Sequence, residues 1–472
     1  MTALSEKNRY QAYPEYKDSG VEWSDTLPLS WGEVNLRWIS TIYAGGTPSK
    51  TNQSFWENGT VPWINSGAVN QGLVTKPSTL ITEQAYQNSS AKWIPKGSLV
   101  VALAGQGKTK GMVAQLAIDS TCNQSMGAIV PECSEYSRYL YWWITSNYQN
   151  IRNMAGGDLR DGLNLEHLGS IQCPQPSIDE SVSIANFLDH ETAKIDTLIE
   201  KQQQLIKLLK EKRQAVISHA VTKGLNPQAP MKDSGVEWLG EVPEHWKIVS
   251  VRNLIRGAKL QIQDGNHGEL HPVANDYVDD GIPFLMANNV RNGKVDTSSC
   301  KRIPKALADK LRIGFAKVGD MLLTHKGTVG EVGIIPEEMR EDYWMLTPQV
   351  TYYRWLHHSL HNEFFYYQFQ SVSVATQLDI IAGKQSTRGY VGLIAQGDIE
   401  LAIPPLNEQL EIASQLQADV KKHEDLIQKA EKLVLLQKER RTALISAAVT
   451  GKIDVRNWQA PISQDQALEQ TA

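Results

Sequence analysis

Apolar side chains recur at heptad spacing through two long segments that contain neither glycine nor proline. The first segment runs from Ile178 to about Thr222, with Gly224 and Pro227 just beyond it. Its apolar positions are Leu188, Ile195, Leu198, Leu205, Leu209 and Val216, and Glu, Lys and Gln fill most of the others. The pattern predicts an amphipathic helix of about 45 residues, roughly 65 Å long. At that length, an apolar seam is typical of a coiled coil.

The second segment, from Asn407 to Thr450, repeats this pattern and stops at Gly451. Its seam carries Leu416, Leu426, Leu433 and Leu444. The simplest way to bury two such seams is to pack the helices against each other. If they run antiparallel, the regions that precede them lie at opposite ends of a rod.

The regions before the helices have a different pattern, with short apolar runs separated by glycine, asparagine and proline. They extend from about Gly20 to Pro176 and from about Gly235 to Pro405. Runs such as Gly97–Leu103 predict short strands, and Ser137–Arg152 predicts a helix. Each region is therefore predicted to be a compact α/β or α+β domain.

Two sequence echoes show that the chain contains two copies of one unit. Lys17–Trp23 returns unchanged as Lys232–Trp238, and Glu211–Ser218 resembles Glu439–Ser446. We therefore predict two tandem globular domains, each followed by a long helix. The predicted bounds are 1–176 for the first domain, 177–226 for its helix, 227–405 for the second domain, 406–454 for its helix, and 455–472 for a disordered tail.

Composition adds limits to this picture. Of the 472 residues, 41% are hydrophobic and 21% are charged, as in a globular protein. No apolar run is long enough for a membrane span, and the N-terminus lacks the apolar core of a signal peptide, so we predict a cytoplasmic protein. The four cysteines form no C-x-x-C pair, which is typical of thiols in a reducing compartment. The net charge of −5 argues against nucleic-acid binding by bulk electrostatics.

One glycine-rich loop has an alternative interpretation as a phosphate-binding loop. Ala102–Thr109 fits a relaxed P-loop pattern, which would make Lys108 the centre of a phosphotransferase. A P-loop must be followed by a helix, yet residues 110–116 predict another strand. A polar, basic hairpin loop is therefore favoured, and such a loop could contact DNA.

Other chemistry is weakly supported. His357, His358 and His361 have helical spacing, but no further histidine or cysteine lies near them, so surface histidines are favoured over a metal site. We find no motif for amino methylation, helicase activity, serine hydrolysis or zinc proteolysis. These absences favour a binding protein over an enzyme.

The combination of features resembles the specificity subunit of type I restriction–modification systems. The resemblance rests on three paired features. The openings are Lys17–Trp23 with Pro28 and Trp31, and Lys232–Trp238 with Pro243 and Trp246. The proline junctions before the helices are Pro174–Glu180 and Pro404–Gln409, and the helix ends are Ala215–Ser218 and Ala443–Ser446. It covers essentially the whole chain.

The resemblance implies that each domain is a target recognition domain that reads one half of a split, asymmetric sequence in double-stranded DNA. The paired helices would set the gap between the halves and dock two modification subunits, which restriction subunits would join. This chain would itself perform no chemistry and bind no cofactor or metal. S-adenosylmethionine, ATP and Mg would belong to the partner subunits, and no membrane would be involved.

Candidate DNA-contacting residues are polar or basic side chains in predicted loops, because base edges are read by such groups. In the first domain they are Asn65, Ser66, Gln106, Lys108, Thr109, Lys110 and Asn123. In the second they are Asn288, Asn289, Arg291, His325, Lys326 and Thr328, with Lys384 and Arg388 as candidate phosphate contacts. The main alternative function is a scaffold that joins other proteins through the coiled coil, which the net negative charge mildly favours.

Overall fold

A computed structural model describes residues 10–105, 107–155, 162–268, 271–385 and 389–460, with only the backbone of residues 384 and 385. The chain divides into two compact units. Unit 1 comprises residues 1–202 and 433–472, and unit 2 comprises residues 203–432. Each unit therefore contains parts of both long helices.

Unit 1 is built on a five-stranded sheet of order β4-β11-β8-β9-β6 and a three-stranded sheet of order β10-β5-β7, with two smaller strand pairs. The strands are β1 (Tyr16–Asp18), β2 (Thr26–Pro28), β3 (Gly32–Asn35), β4 (Ser40–Ala44), β5 (Val61–Ile64), β6 (Leu73–Val74), β7 (Thr79–Ile81), β8 (Leu99–Ala102), β9 (Val113–Leu116), β10 (Thr121–Cys122), β11 (Met126–Pro131) and β12 (Gln172–Gln175).

Unit 2 repeats this framework with sheets of order β16-β25-β22-β23 and β20-β17-β24-β21 and three smaller strand pairs. Its strands are β13 (Met231–Asp233), β14 (Glu241–Pro243), β15 (Lys247–Ser250), β16 (Leu260–Gln263), β17 (Ile282–Leu285), β18 (Val290–Arg291), β19 (Lys294–Val295), β20 (Lys301–Ile303), β21 (Phe315–Ala316), β22 (Met321–Lys326), β23 (Thr328–Ile334), β24 (Trp344–Leu346), β25 (Val350–Trp355) and β26 (Glu400–Ile403). The sequence repeat is therefore a repeat of topology.

Helices cover the sheets and close the domains. They are α1 (Glu83–Gln87), α2 (Tyr136–Ser146), α3 (Tyr148–Asn153), α4 (Leu165–Gly169), α5 (Ile178–Lys223), α6 (Val251–Arg256), α7 (Lys305–Ala308), α8 (Asn362–Phe369), α9 (Val372–Gln385), α10 (Leu393–Gln396) and α11 (Leu406–Val449). The helix predicted over 137–152 is found as α2 and α3, which meet at Asn147. Among the residues that the structure describes, no helix is both long and apolar enough to cross a membrane.

The mixed α/β fold and the two long helices are confirmed: α5 has 46 residues and α11 has 44. Within unit 2 the two helices run antiparallel. Lys210 Nζ of α5 lies 3.5 Å from Glu431 Oε1 of α11, and farther along α5 the Arg213 guanidinium lies 3.4 Å from Oε1 of the earlier residue Glu424. Within unit 1, Arg441 of α11 makes a two-pronged ion pair with Asp196 of α5.

Burial along the helical seam differs from the simple coiled-coil expectation. Leu188 and Ile195 are buried in unit 1, and Leu416 is buried in unit 2, where each packs into a domain core. In contrast, Leu198, Leu205, Leu426 and Leu433 are all between 41% and 46% exposed. The leucines of the seam are therefore fully buried where the globular part of a unit adds a third surface, whereas these four, farther along the helices, stay partly exposed.

The domain cores depend on the ends of both long helices. In unit 1, Trp31 and Tyr139 are buried with Leu444 and Val449 of α11, and the Tyr139 hydroxyl donates to the Val449 carbonyl at 3.0 Å. In unit 2, Trp246 is buried in one cluster with helix residues from both α5 and α11. Aromatic side chains of this size each bury ~150–250 Å², so these contacts are large terms in the stability of each unit.

The carboxylates in the first turn of each long helix bond to an aromatic side chain near the start of the preceding domain. Glu180, in the first turn of α5, accepts a hydrogen bond of 2.6 Å from the Tyr13 hydroxyl. Glu408, in the first turn of α11, accepts one of 3.1 Å from the Trp246 indole. A carboxylate near a helix N-terminus is also favoured by the helix dipole. The shared junction glutamate therefore joins each helix to its own domain.

A close backbone approach recurs in both units where the two sheets meet. A Cβ added to Gly45 would overlap the Cys122 carbonyl oxygen, and one added to Gly265 would overlap that of Leu346. Because Cys122 ends β10 and Leu346 ends β24, the two glycines occupy the same place in the repeated framework. Only glycine allows the chain to pass so near these strands.

We expect Gly265→Ala to lower the free energy of unfolding by about 1–3 kcal/mol or more, as overpacking does in a dense interior. Gly383→Ala is the matched control, because Gly383 is exposed in α9 with no atom within 4 Å of an added Cβ. That control should be neutral or stabilising by up to about 1 kcal/mol. Denaturant unfolding measures both, and equal stabilities of the two variants would contradict the prediction.

Candidate nucleic-acid interface

In unit 1, four loops meet at one edge of the paired sheets. The register aligns the end of β4 and the end of β8 with the start of β11, since Ala44 pairs with Gly127 and Ala102 pairs with Met126. The ends of β5 and β10 join this edge, where the amide of Asn123 donates to the Ile64 carbonyl at 3.0 Å. Loops 45–52, 65–71, 103–112 and 123–125 therefore emerge side by side.

The same edge exists in unit 2. The end of β22 aligns with the start of β25, and the His325 amide donates to the Gln349 carbonyl at 2.9 Å. The Thr347 amide donates to the Leu285 carbonyl at 2.9 Å, as Asn123 does to Ile64 in unit 1. We call each of these two places a strand-end edge. In unit 1 it comprises loops 45–52, 65–71, 103–112 and 123–125. In unit 2 it comprises loops 264–268, 286–291, 326–328 and 347–349.

The glycine-rich segment of unit 1 is the turn of a hairpin. Strands β8 and β9 pair antiparallel on either side of it, with Val101 opposite Val113. A P-loop needs a helix in the place of β9, so the phosphotransferase interpretation loses its structural basis. The hairpin that was favoured over it is present.

The predicted residues of unit 1 that the structure describes fall on its strand-end edge, with differing exposure. Lys108 and Asn65 are exposed, and Ser66, Thr109 and Asn123 are partly exposed. Lys110 is only 4% exposed. Gln106 lies outside the described residues.

Two of these polar side chains already make structural contacts. Asn65 caps the turn that follows β5, where its Oδ1 accepts from the Gly67 amide at 2.9 Å. The Tyr148 hydroxyl donates to the Lys108 carbonyl at 2.6 Å, which holds the hairpin against α3 while its lysine side chain stays exposed. Lys108 therefore has the accessibility that a phosphate contact requires.

In unit 2, the structure brings Arg291, Lys326 and Thr328 together at the edge. The Arg291 guanidinium donates to Thr328 Oγ1 at 3.1 Å and lies 3.9 Å from Glu331. Lys326 is exposed at the end of β22, and Asn288 is exposed next to the same edge. Lys384 is in α9, but its side chain lies outside the described residues, as does Arg388.

Asn289 and His325 are internal in this conformation. Asn289 is 2% exposed and fastens its own turn, because Oδ1 accepts from the Met286 amide at 2.9 Å and Nδ2 donates to the Asp296 carbonyl at 3.2 Å. His325 is 0% exposed. These two side chains shape the edge from within.

A hydrogen-bond chain inside unit 2 ends at His325. The Tyr353 hydroxyl donates to Gln396 Oε1 at 2.8 Å, and the amide of the same glutamine donates to Thr351 Oγ1 at 3.1 Å. The Thr351 hydroxyl lies 2.8 Å from His325 Nδ1 and can donate to it. The other ring nitrogen, Nε2, is buried with no partner among the described residues. Burial lowers the pKa of His325 to about 4, so the ring is neutral near pH 7.

Sequence reasoning missed several residues that build the edges. Gly45, Gly265, Thr347 and Gln349 were not among the candidates, although each lies on an edge. A signal for the two glycines was present, since each follows the first strand of its main sheet. The signal for His325 was its alignment with Leu103, a buried residue that directly follows β8, through the shared run that begins at Gly97 and Gly319.

No group of three or more His, Cys, Asp or Glu side chains in the described ranges could hold a metal ion. His357 and His358 stack with ring centroids 4.3 Å apart, and His357 bonds to Ser359 at 2.7 Å. The interpretation of these residues as ordinary surface histidines stays a prediction.

Comparison with known proteins finds a matching family model and several similar sequences. Residues 28–208 match the family model described as type I restriction modification DNA specificity domain. The specificity subunit of the Escherichia coli type I restriction enzyme EcoR124I/EcoR124II is 34% identical over 41% of this chain and 46% of its own length. That of EcoKI, from E. coli K12, is 21% identical over 83% of this chain and 82% of its own length.

A solved structure from a study of complex assembly and conformational transition of the type I R-M system has the same fold. Its TM-score is 0.69 at 15% identity, and the match covers 90% of this chain and 99% of that chain. The matches cover 46%, 63% and 63% of the first three curated relatives' own lengths, which is less than two thirds in each case.

The depressed pKa of His325 predicts a contribution to stability that depends on pH. An unfolded histidine binds its proton near pH 6.5, whereas the folded one binds it only near pH 4. The contribution of neutral His325 to the free energy of unfolding is therefore fully present above about pH 6.5 and is lost as the pH falls toward 4. The loss is at most about 3 kcal/mol. Thermal unfolding between pH 4.5 and 7.5 should show a shallower acid loss in His325→Gln than in the wild type. His219→Gln, at an exposed ring, is the control and should keep the wild-type slope.

Proposed function

We propose that this chain is the DNA-reading subunit of a type I restriction enzyme. The proposal is supported by its similarity to the specificity subunits of such enzymes and by the match of its residues 28–208 to the DNA specificity domain model. Each domain would read one half of a split, asymmetric target in double-stranded DNA. We assign residues 1–176 and 227–405 to these two recognition domains.

One observation carries the proposal: the two units present the same strand-end edge with different side chains. Two copies of one backbone framework can bind DNA in equivalent ways, while differing loops select different bases. Bases are distinguished by hydrogen bonds to their edges, and contacts to phosphate fix position without carrying sequence information. A duplicated framework with unlike loops fits a target whose two halves differ.

The exposed cations at these edges are suited to phosphate, and the amides and hydroxyls to bases. Lys108 and Lys326 occupy the hairpin turns of the two units, and we assign them to phosphate. Asn65, Ser66, Thr109 and Asn123 in unit 1, and Asn288, Arg291 and Thr328 in unit 2, remain proposed contacts, as do Gln106, Lys384 and Arg388. Lys110, Asn289 and His325 would act indirectly by supporting the loops, because their side chains are buried.

The half-exposed leucines of the long helices support the docking of partner subunits. Leu198, Leu205, Leu208 and Leu435 are between 44% and 61% exposed along these helices. We propose that two modification subunits cover these helices and that restriction subunits join them in the cytoplasm. The partners would bind S-adenosylmethionine, ATP and Mg and perform the chemistry. They would also supply much of the positive charge that this chain, at −5, lacks.

The test of this function is base-resolution mapping of DNA methylation in cells that lack their own. The cells would express the modification subunits of the same system with and without this chain. A new split motif with a fixed gap, present only with this chain, is the expected result. A stable complex of the proteins that yields no motif would instead favour the scaffold function.

Lys326→Ala should weaken DNA binding of the assembled complex about equally for all sequences, because a phosphate contact is lost. The slope of log affinity against log salt should fall by about one. Binding titrations over a series of salt concentrations measure this slope. Lys317→Ala is the matched control, since Lys317 is exposed at the opposite end of β22. An unchanged slope in Lys326→Ala, or the same loss in both variants, would remove Lys326 from the interface.

A further inference from the structure

The two strand-end edges share one polar position that the sequence repeat does not reveal. Asn123 and Thr347 each follow the strand that runs parallel to the last two residues of β5 or β17. Each donates its amide to the last carbonyl of that neighbouring strand, at 3.0 and 2.9 Å. The two residues therefore stand at equivalent places in the two units, although one carries an amide and the other a hydroxyl.

Both positions also carry a side-chain oxygen whose hydrogen-bonding capacity is unsatisfied. Asn123 Oδ1 and Thr347 Oγ1 are buried, and neither has a hydrogen-bond partner among the described residues. Leaving such an atom unpaired costs about 1–3 kcal/mol. A cost carried at the same place in both copies, by chemically different side chains, is expected where that place awaits a ligand that differs between the copies.

In unit 2 this position opens onto a cavity of about 460 Å³, within the range of small-ligand sites. Thr347 lines it together with Gln349, Met286, His271 and Lys326. The His271 ring lies 5.5 Å from that of Phe284, and its Nδ1 is a second buried atom with no described partner. The Lys326 side chain is exposed. The cavity thus combines apolar and aromatic walls, two unpaired polar atoms and one accessible cation.

We infer that this cavity receives the edge of one nucleobase of the second half-site, and that Thr347 is the side chain that selects the base. Asn123 is its counterpart in the first unit. A base needs a flat apolar wall and a hydrogen-bonding partner at its edge, and the phosphate of the same nucleotide needs a cation nearby; the lining provides all three. This inference rests on the proposed DNA-reading function.

The polar group of Thr347 can be removed with little change of shape. Thr347→Val deletes the hydroxyl and keeps the branched outline, so the unpaired atom disappears and thermal stability should be unchanged or higher. A residue whose hydroxyl only supported the fold would instead lose stability on this change. Thr347→Ser keeps a hydroxyl and is the matched control.

The experiment measures methylation by the complete complex of this chain with its modification subunits. Its substrates are duplexes carrying each of the four bases, in turn, at every position of the target mapped with the wild type. Thr347→Val should lower discrimination at one position of the second half-site by roughly 10-fold, the value of one base contact. Discrimination in the first half-site should not change, and Thr347→Ser should behave as the wild type.

Unchanged discrimination by a folded Thr347→Val complex, or an equal loss at all positions of both half-sites, would overturn the inference. Thr347→Ala, which removes the hydroxyl without adding volume, gives the same test if the valine chain does not assemble. The failure of the proposed function is distinct from these outcomes. In that case the wild-type complex itself would yield no motif, and this inference would fall with it.

Discussion

The structure depends on the packing of helix ends against the tryptophans of the repeated openings. Trp31 lies against Gly451 at the end of α11, and Trp246 lies against Gly224 at the end of α5. Both glycines have positive φ, 67° and 74°, which lets the chain leave the helix without a side chain in the way. Each domain core is therefore completed by the end of a helix that the other repeat supplies.

The strand-end edges add variable side chains to that framework. Gly45 and Gly265 allow the loops to approach the end of the neighbouring strand closely enough for direct backbone contact. The backbone geometry is thereby held constant, while side chains at equivalent places are free to differ. Leu103 and His325 illustrate this freedom, because the second requires a hydrogen-bond chain through Thr351 where the first needs only apolar packing. A duplicated fold can in this way acquire two specificities without altering its frame.

Much of the fold followed from patterns that are local in sequence. The seams of α5 and α11 could be read directly, since a 3.6-residue period places their apolar residues on one face whatever lies around them. The hairpin of β8 and β9 was also predictable from two apolar runs around a glycine-rich turn. The exposure of individual polar side chains was not predictable from such local patterns, and the strand-end residues show why. Lys110, Asn289 and His325 have the residue types of surface loops, but their neighbours come from strands that are distant in sequence.

The sequence by itself determined the two-copy organisation, the long helices and the class of fold, because repeats and hydrophobic periods express short-range geometry. Only the tertiary structure decided which polar residues stand at the strand-end edges and which leucines remain half-exposed. It also revealed that Asn123 and Thr347 are equivalent. These properties arise from the register of parallel strands and from contacts between segments far apart in the chain, and the burial of an atom depends on everything packed around it.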